Sequence, residues 1–166
     1  MIFVNDLVTS TILFAQYSTV PSRAFLVLAN GYLFTASIVV PQALTYPGAF
    51  APAGLLGAGP QTTARLYVFW HLGSPVAVLA YACLKGDDSS KKGSATSTIW
   101  WSVTFVVLLV SGLTWIAIAG DRFLPAVFPR NGIHNIEFDR AIVGIVTALF
   151  LLIIPFCIGL LRTMYL

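Results

Sequence analysis

Charge is what this sequence has least of. Only 9% of its 166 residues are Asp, Glu, Lys or Arg, against about a quarter in a soluble domain. Six acids and nine basic residues cannot clothe a globule in water, and 58% of the chain is hydrophobic. The surface that these numbers require is lipid. The basic residues are dispersed and form no stripe, which argues against nucleic acid as a partner. Histidine is also scarce. His71 and His134 fall in different stretches with no second ligand at helical spacing, so neither metal nor any other cofactor is expected. Cys83 and Cys157 each lie inside an apolar run, where a thiol acts as a small hydrophobe. The chain shows no paired carboxylates and no nucleophile beside a base. Its one glycine-rich tetrad, GAGP at Gly57–Pro60, lacks the lysine of a phosphate loop. An enzyme active site is not expected.

What is present is apolar sequence in membrane-length runs. A helix needs about 20 apolar residues to cross the hydrocarbon core. Five runs reach that length: Ile2–Val20, Arg23–Thr45, Arg65–Leu84, Ile99–Ala119 and Arg140–Arg162. None alternates as a membrane β-strand does, and only helices satisfy their own backbone in lipid. The expected fold is all-α, a polytopic transmembrane helical bundle of about five spans. Its first helix is flawed by Asn5 and Asp6, and the abrupt ends predict a piece of a longer chain.

The connections fix an orientation. With the amino end outside, the inner side holds Arg23, Lys85, Lys91, Lys92 and Arg162, and the outer side holds Arg65, Arg122, Arg130 and Arg140. Five against four is a small positive-inside bias, strengthened because all three lysines fall inside. Trp100 and Trp101 then suit an inner aromatic belt, and Tyr67, Trp70 and Trp115 an outer one.

The outer connection between the second and third runs is unusual, being rich in Pro and Gly, carrying Phe50, Leu55 and Leu56, and almost free of charge. Polar groups inside lipid are costly and therefore functional candidates. Asp6 is a candidate partner for a cation or for Arg65. Asn30, Gly31, Tyr32, Thr35 and Ser37 cluster in the middle of the second run and offer packing and hydrogen bonds between helices. Pro41 interrupts the second run just before Gln42, while Trp70 and His71 lie about two turns into the third. Gln42 and His71 are expected to face one another beneath the loop and, with Pro41, Pro75 and the loop itself, to line an outward-facing pocket; Trp70, Arg65 and Asp6 are the further ligand-sensing candidates. Pro41, Pro75 and Pro155 are the expected flex points.

The stretch GYLFTASIVVPQALTYPGAFAPAGLLGAGPQTTARLYVFWHLGSPVAVLAYA, with NDLVTSTILFAQY and SRAFLVLANGYLF before it, resembles the MASE4 family of bacterial integral-membrane sensor domains. The combination of PGAFAP, GLLGAGPQ and FWH carries the likeness. The resemblance implies a sensor that sits upstream of a cytoplasmic output domain, a GGDEF diguanylate cyclase or a kinase, in the bacterial inner membrane. It implies about eight spans in the whole domain, a homodimer, and an amino end of this segment outside with its carboxyl end in the cytoplasm. The family pattern tends to carry histidine where this chain has Gln42. Residues 1–166 then form one sensor domain, incomplete at both ends, whose partners are the bilayer and the output domain. A small transporter or carrier, or a haem-binding membrane protein, are the competing readings. The purified protein is expected to show no Soret band; a Soret band in its visible spectrum would reinstate haem.

Overall fold

The computed structural model describes residues 2–52, 54–58, 60–85 and 94–120, with six further positions between 140 and 151. The described residues contain no strand. They form α1 (Ile2–Thr19), α2 (Arg23–Thr45), α3 (Pro60–Leu84) and α4 (Ala95–Ala119). By length and composition three of these can cross a membrane: Arg23–Thr45, Gln61–Leu84 and Ala95–Ala119. The first expected run is helical, but with Asn5, Asp6 and Gln16 in its 18 residues it is not one of these three. The fifth run, Arg140–Arg162, and Pro155 within it lie mostly or wholly outside the described residues. The count of about five spans therefore reduces here to an all-helical chain with three clear candidates.

Two helices start earlier than their apolar runs. Helix α3 opens at Pro60 rather than Arg65, because proline is pre-set for the first helical position and gives up no hydrogen bond there. Helix α4 opens at Ala95 rather than Ile99; Ser94 precedes it, and its carbonyl accepts from the Thr98 N–H at 3.1 Å. In both cases the first turn is polar and was hidden from a hydropathy reading.

Helix α2 is the hub, packing against α1, α3 and α4. Its contact with α3 is so close that side chains larger than hydrogen do not fit at two points. A Cβ added at Gly31 would overlap the Ala77 methyl, and one added at Gly73 would overlap the Phe34 ring. Small residues at such crossings let dispersion and interhelical polar contacts act where lipid offers no hydrophobic drive. Around the crossing lie Phe34, Ile38 and Leu66, joined by Val106, Val110 and Ala117 of α4. The opposite face of α4 is open, with Trp100, Trp101, Phe105, Leu108 and Trp115 exposed as a lipid-facing helix requires.

The helices are also tied by hydrogen bonds. The buried Ser10 hydroxyl donates to the Ala29 carbonyl at 2.9 Å, joining α1 to α2. Thr63 donates to the Thr45 carbonyl at 2.9 Å, joining α3 to the end of α2. Asn30, expected to reach across helices, instead donates to Leu26 in its own helix at 2.9 Å.

The connection from Tyr46 to Ala58 folds back as a cap. Leu55 N–H donates to the Leu44 carbonyl at 2.9 Å, satisfying one of the groups that a helix end leaves open. Gly54 has φ +81, and a Cβ there would overlap the Thr45 carbonyl, so only glycine allows this approach. Pro41 and Pro75 lie inside α2 and α3 and withhold the N–H that Ser37 and His71 carbonyls would otherwise receive. Pro75 is fully buried, so it is a packing residue as well as a break in the ladder.

The close crossing gives a clean prediction. Gly31→Ile is expected to lower stability by about 1–3 kcal/mol through overpacking. Gly112→Ile, at a position with nothing within 4 Å, is expected to cost far less. Thermal unfolding of both variants in one detergent checks this.

Candidate ligand-sensing site

Two hollows adjoin along the seam of α1, α2 and α3, and Trp70 lines both. The first, of about 380 Å³, lies under the cap. Ile2, Val39, Gln42, Tyr46, Phe50 and Trp70 form its walls, almost entirely apolar apart from Gln42. The second, of about 170 Å³, is lined by Asp6, Tyr32, Thr35, Trp70 and Ser74, with Gly31 and Ala77 at its back. It exists because of the close crossing: small residues there leave room beside the seam.

Depth follows from helix geometry. Thr35 lies ten residues before Thr45, and Trp70 ten residues after Pro60, so each is about 15 Å in from the capped end. That is about half of a 30 Å hydrocarbon core. Thr35 Oγ1 donates to Asp6 Oδ2 at 2.9 Å, which brings the carboxylate to this same depth. One turn into α1 is therefore mid-height on α2, deeper than the sequence suggested. The Thr35 oxygen is also 2.9 Å from the Tyr32 carbonyl, so a single hydroxyl proton serves two acceptors.

Arg65 is buried, with 4% of its surface exposed. It does not line the hollow beside Asp6. Its Nη1 donates to the Ala117 carbonyl at 3.1 Å, in the last turn of α4. That is where a helix has open carbonyls and the negative end of its dipole, both suited to a guanidinium. Arg65 thus ties α4 to α3.

His71 departs from expectation as well. Its Nδ1–H donates to the Tyr67 carbonyl one turn back, at 2.9 Å. Its ring lies 3.8 Å from the Tyr67 ring and 4.6 Å from that of Trp70. It lines neither hollow. Gln42 sits under the cap as expected, but the residue that reaches it from α3 is Trp70. An α-helix rotates about 100° per residue, so neighbours in sequence point to different sides. Trp70, assigned to an outer aromatic belt, is instead half-buried against the core. Of the five candidates, then, Gln42, Trp70 and Asp6 line adjoining hollows, while Arg65 and His71 lie outside them.

Thr35, Tyr32 and Ser74 join the site; Tyr32 and Thr35 stood out in sequence only as members of a packing cluster, and Ser74 did not. What could have found the site is the spacing of Gly31 and Thr35, a small residue and a hydroxyl one turn apart on the same helix face.

Replacing Arg65 tests its tie to α4. Arg65→Ala is expected to destabilise by about 1.5–3 kcal/mol, the scale of a charge-assisted hydrogen bond, and Arg65→Lys by less. Chemical unfolding followed by far-ultraviolet circular dichroism checks the order.

Comparison with known proteins gives one family. Residues 1–164 match MASE4, described as a membrane-associated sensor, integral membrane domain. No curated protein matches the chain, and no solved structure does.

Proposed function

Because the chain belongs to the MASE4 family of membrane-associated sensor domains, we propose that it senses through the paired hollows around Trp70 and regulates a cytoplasmic output domain of the diguanylate cyclase type. A family match over residues 1–164 makes it an integral-membrane sensor and not a catalytic domain. The finer reading rests on one observation, the shared Trp70 wall. An apolar hollow opens under the outer cap, and a second one that contains Asp6 and Thr35 lies on the other side of Trp70. Both touch α2, the helix that also carries α4.

A ligand shifts an equilibrium only if it binds two packings unequally. Occupying either hollow changes how α1 and α3 seat on α2, and the missing backbone bonds at Pro41 and Pro75 lower the cost of such a shift. The home of the domain is the bacterial inner membrane, with the cap outside and the Lys85 end of α3 in the cytoplasm, and the signalling unit is a homodimer. The bias of lysine toward that side and the lipid-facing tryptophans of α4 support this reading.

The test joins this domain to a diguanylate cyclase output and measures cyclic di-GMP in cells. Trp70→Ala and Gln42→Ala are expected to change basal output or response by about fivefold or more, at unchanged membrane abundance. His71→Ala is expected to leave both near wild type. Wild-type output from both Trp70→Ala and Gln42→Ala would sink the site.

A further inference from the structure

We propose that the inner hollow is a binding site for a small organic ammonium ion, with Asp6 as its counter-charge. This deepens the sensor reading above and rests on the same site, naming the chemistry of what enters it.

Three observations carry it. The first is the position of the charge. Asp6 is held by Thr35 at mid-height of α2, where a carboxylate in hydrocarbon is expensive unless something neutralises it. The second is its under-supplied shell. Among the described residues Thr35 gives Asp6 its one hydrogen bond, and that hydroxyl is shared with the Tyr32 carbonyl. An ionised carboxylate accepts about four. Among the described residues no basic side chain lines the hollow. The third is what does line it: two aromatic residues, Tyr32 and Trp70, and the Ser74 hydroxyl.

That combination selects among cations. A bare metal ion needs six or so oxygen ligands closely arranged, and this wall is largely aliphatic and aromatic. An alkylammonium needs one anion, one or two acceptors and apolar walls for its carbon stem. Aromatic faces add cation–π attraction, which is strongest for desolvated cations and best on Trp. A hollow of about 170 Å³ suits a stem of a few carbons. The apolar hollow that shares the Trp70 wall lies on the side of the capped end.

The probe is propylammonium chloride, added to the purified protein in detergent. Sodium chloride at equal ionic strength and neutral n-butanol serve as controls, and binding is read by calorimetry and by the shift in unfolding temperature. Saturable binding of propylammonium is expected, with neither control producing it. Asp6→Asn, which keeps an oxygen for Thr35 while removing the charge, is expected to weaken binding about tenfold or more. Trp70→Leu is expected to weaken it less. Equal binding by wild type and Asp6→Asn would overturn the proposal. So would an equal response of the wild type to sodium chloride or n-butanol, a comparison that needs no variant. No binding by the wild type would overturn it too. None of these readings involves an output domain, so failure here and failure of the sensor reading are separate results.

Discussion

The close approach of α2 and α3 is the constraint on which the structure depends. Between two helices in lipid the hydrophobic effect is nearly silent, since tails are as apolar as leucine. What remains is dispersion, which needs contact, and polar bonds, which need shielding. Gly31 against Ala77 and Gly73 against Phe34 provide the contact. Once that seam is set, α1 is positioned by Ser10 and Asp6, and α4 by the shared core and Arg65. The hollows lie beside the seam, and their depth is set by it.

This arrangement bears on how a sensor domain can work. Helix α2 touches every other described helix, so a change at the hollows cannot be confined to one pair. Its outer end is also fixed: Leu55 and Thr63 bond to its last carbonyls, and Gly54 lies against Thr45. Pro41, one turn before that braced end, and Pro75 in the middle of α3 interrupt the backbone ladders. The energy available is the difference in binding between packings, not the affinity itself.

Much of the fold was legible in the sequence. The bounds Arg23–Thr45 follow from an apolar run flanked by polar turns, and the structure has the same bounds. The starts of α3 and α4 were not, because a polar first turn reads as loop until its proline or preceding serine is weighed. The site was legible in part. Gln42 and Asp6 stood out as polar groups in lipid, but their partners depend on rotation about α3 and on the height at which α1 meets α2. Neither is encoded in hydropathy. Trp70 and His71 are adjacent in sequence yet differ in fate: one walls the hollows, the other bonds its own helix. Arg65 looked like a sensor charge because sequence shows a cation in lipid without showing the helix end that receives it.

The account turns on the Asp6–Thr35 contact, which sets the height of α1 and places a carboxylate at mid-height of α2. Its most direct test is cross-linking in native membranes. Asp6→Cys and Thr35→Cys are combined in a chain whose Cys83 and Cys157 are replaced by alanine, oxidised with copper phenanthroline, and the disulfide is identified by mass spectrometry of the digest. The account predicts rapid, near-complete formation of that bridge, and much less when the first cysteine is placed at Val4 instead. Failure of the Asp6–Thr35 pair to cross-link, or equal cross-linking from Val4, would contradict it.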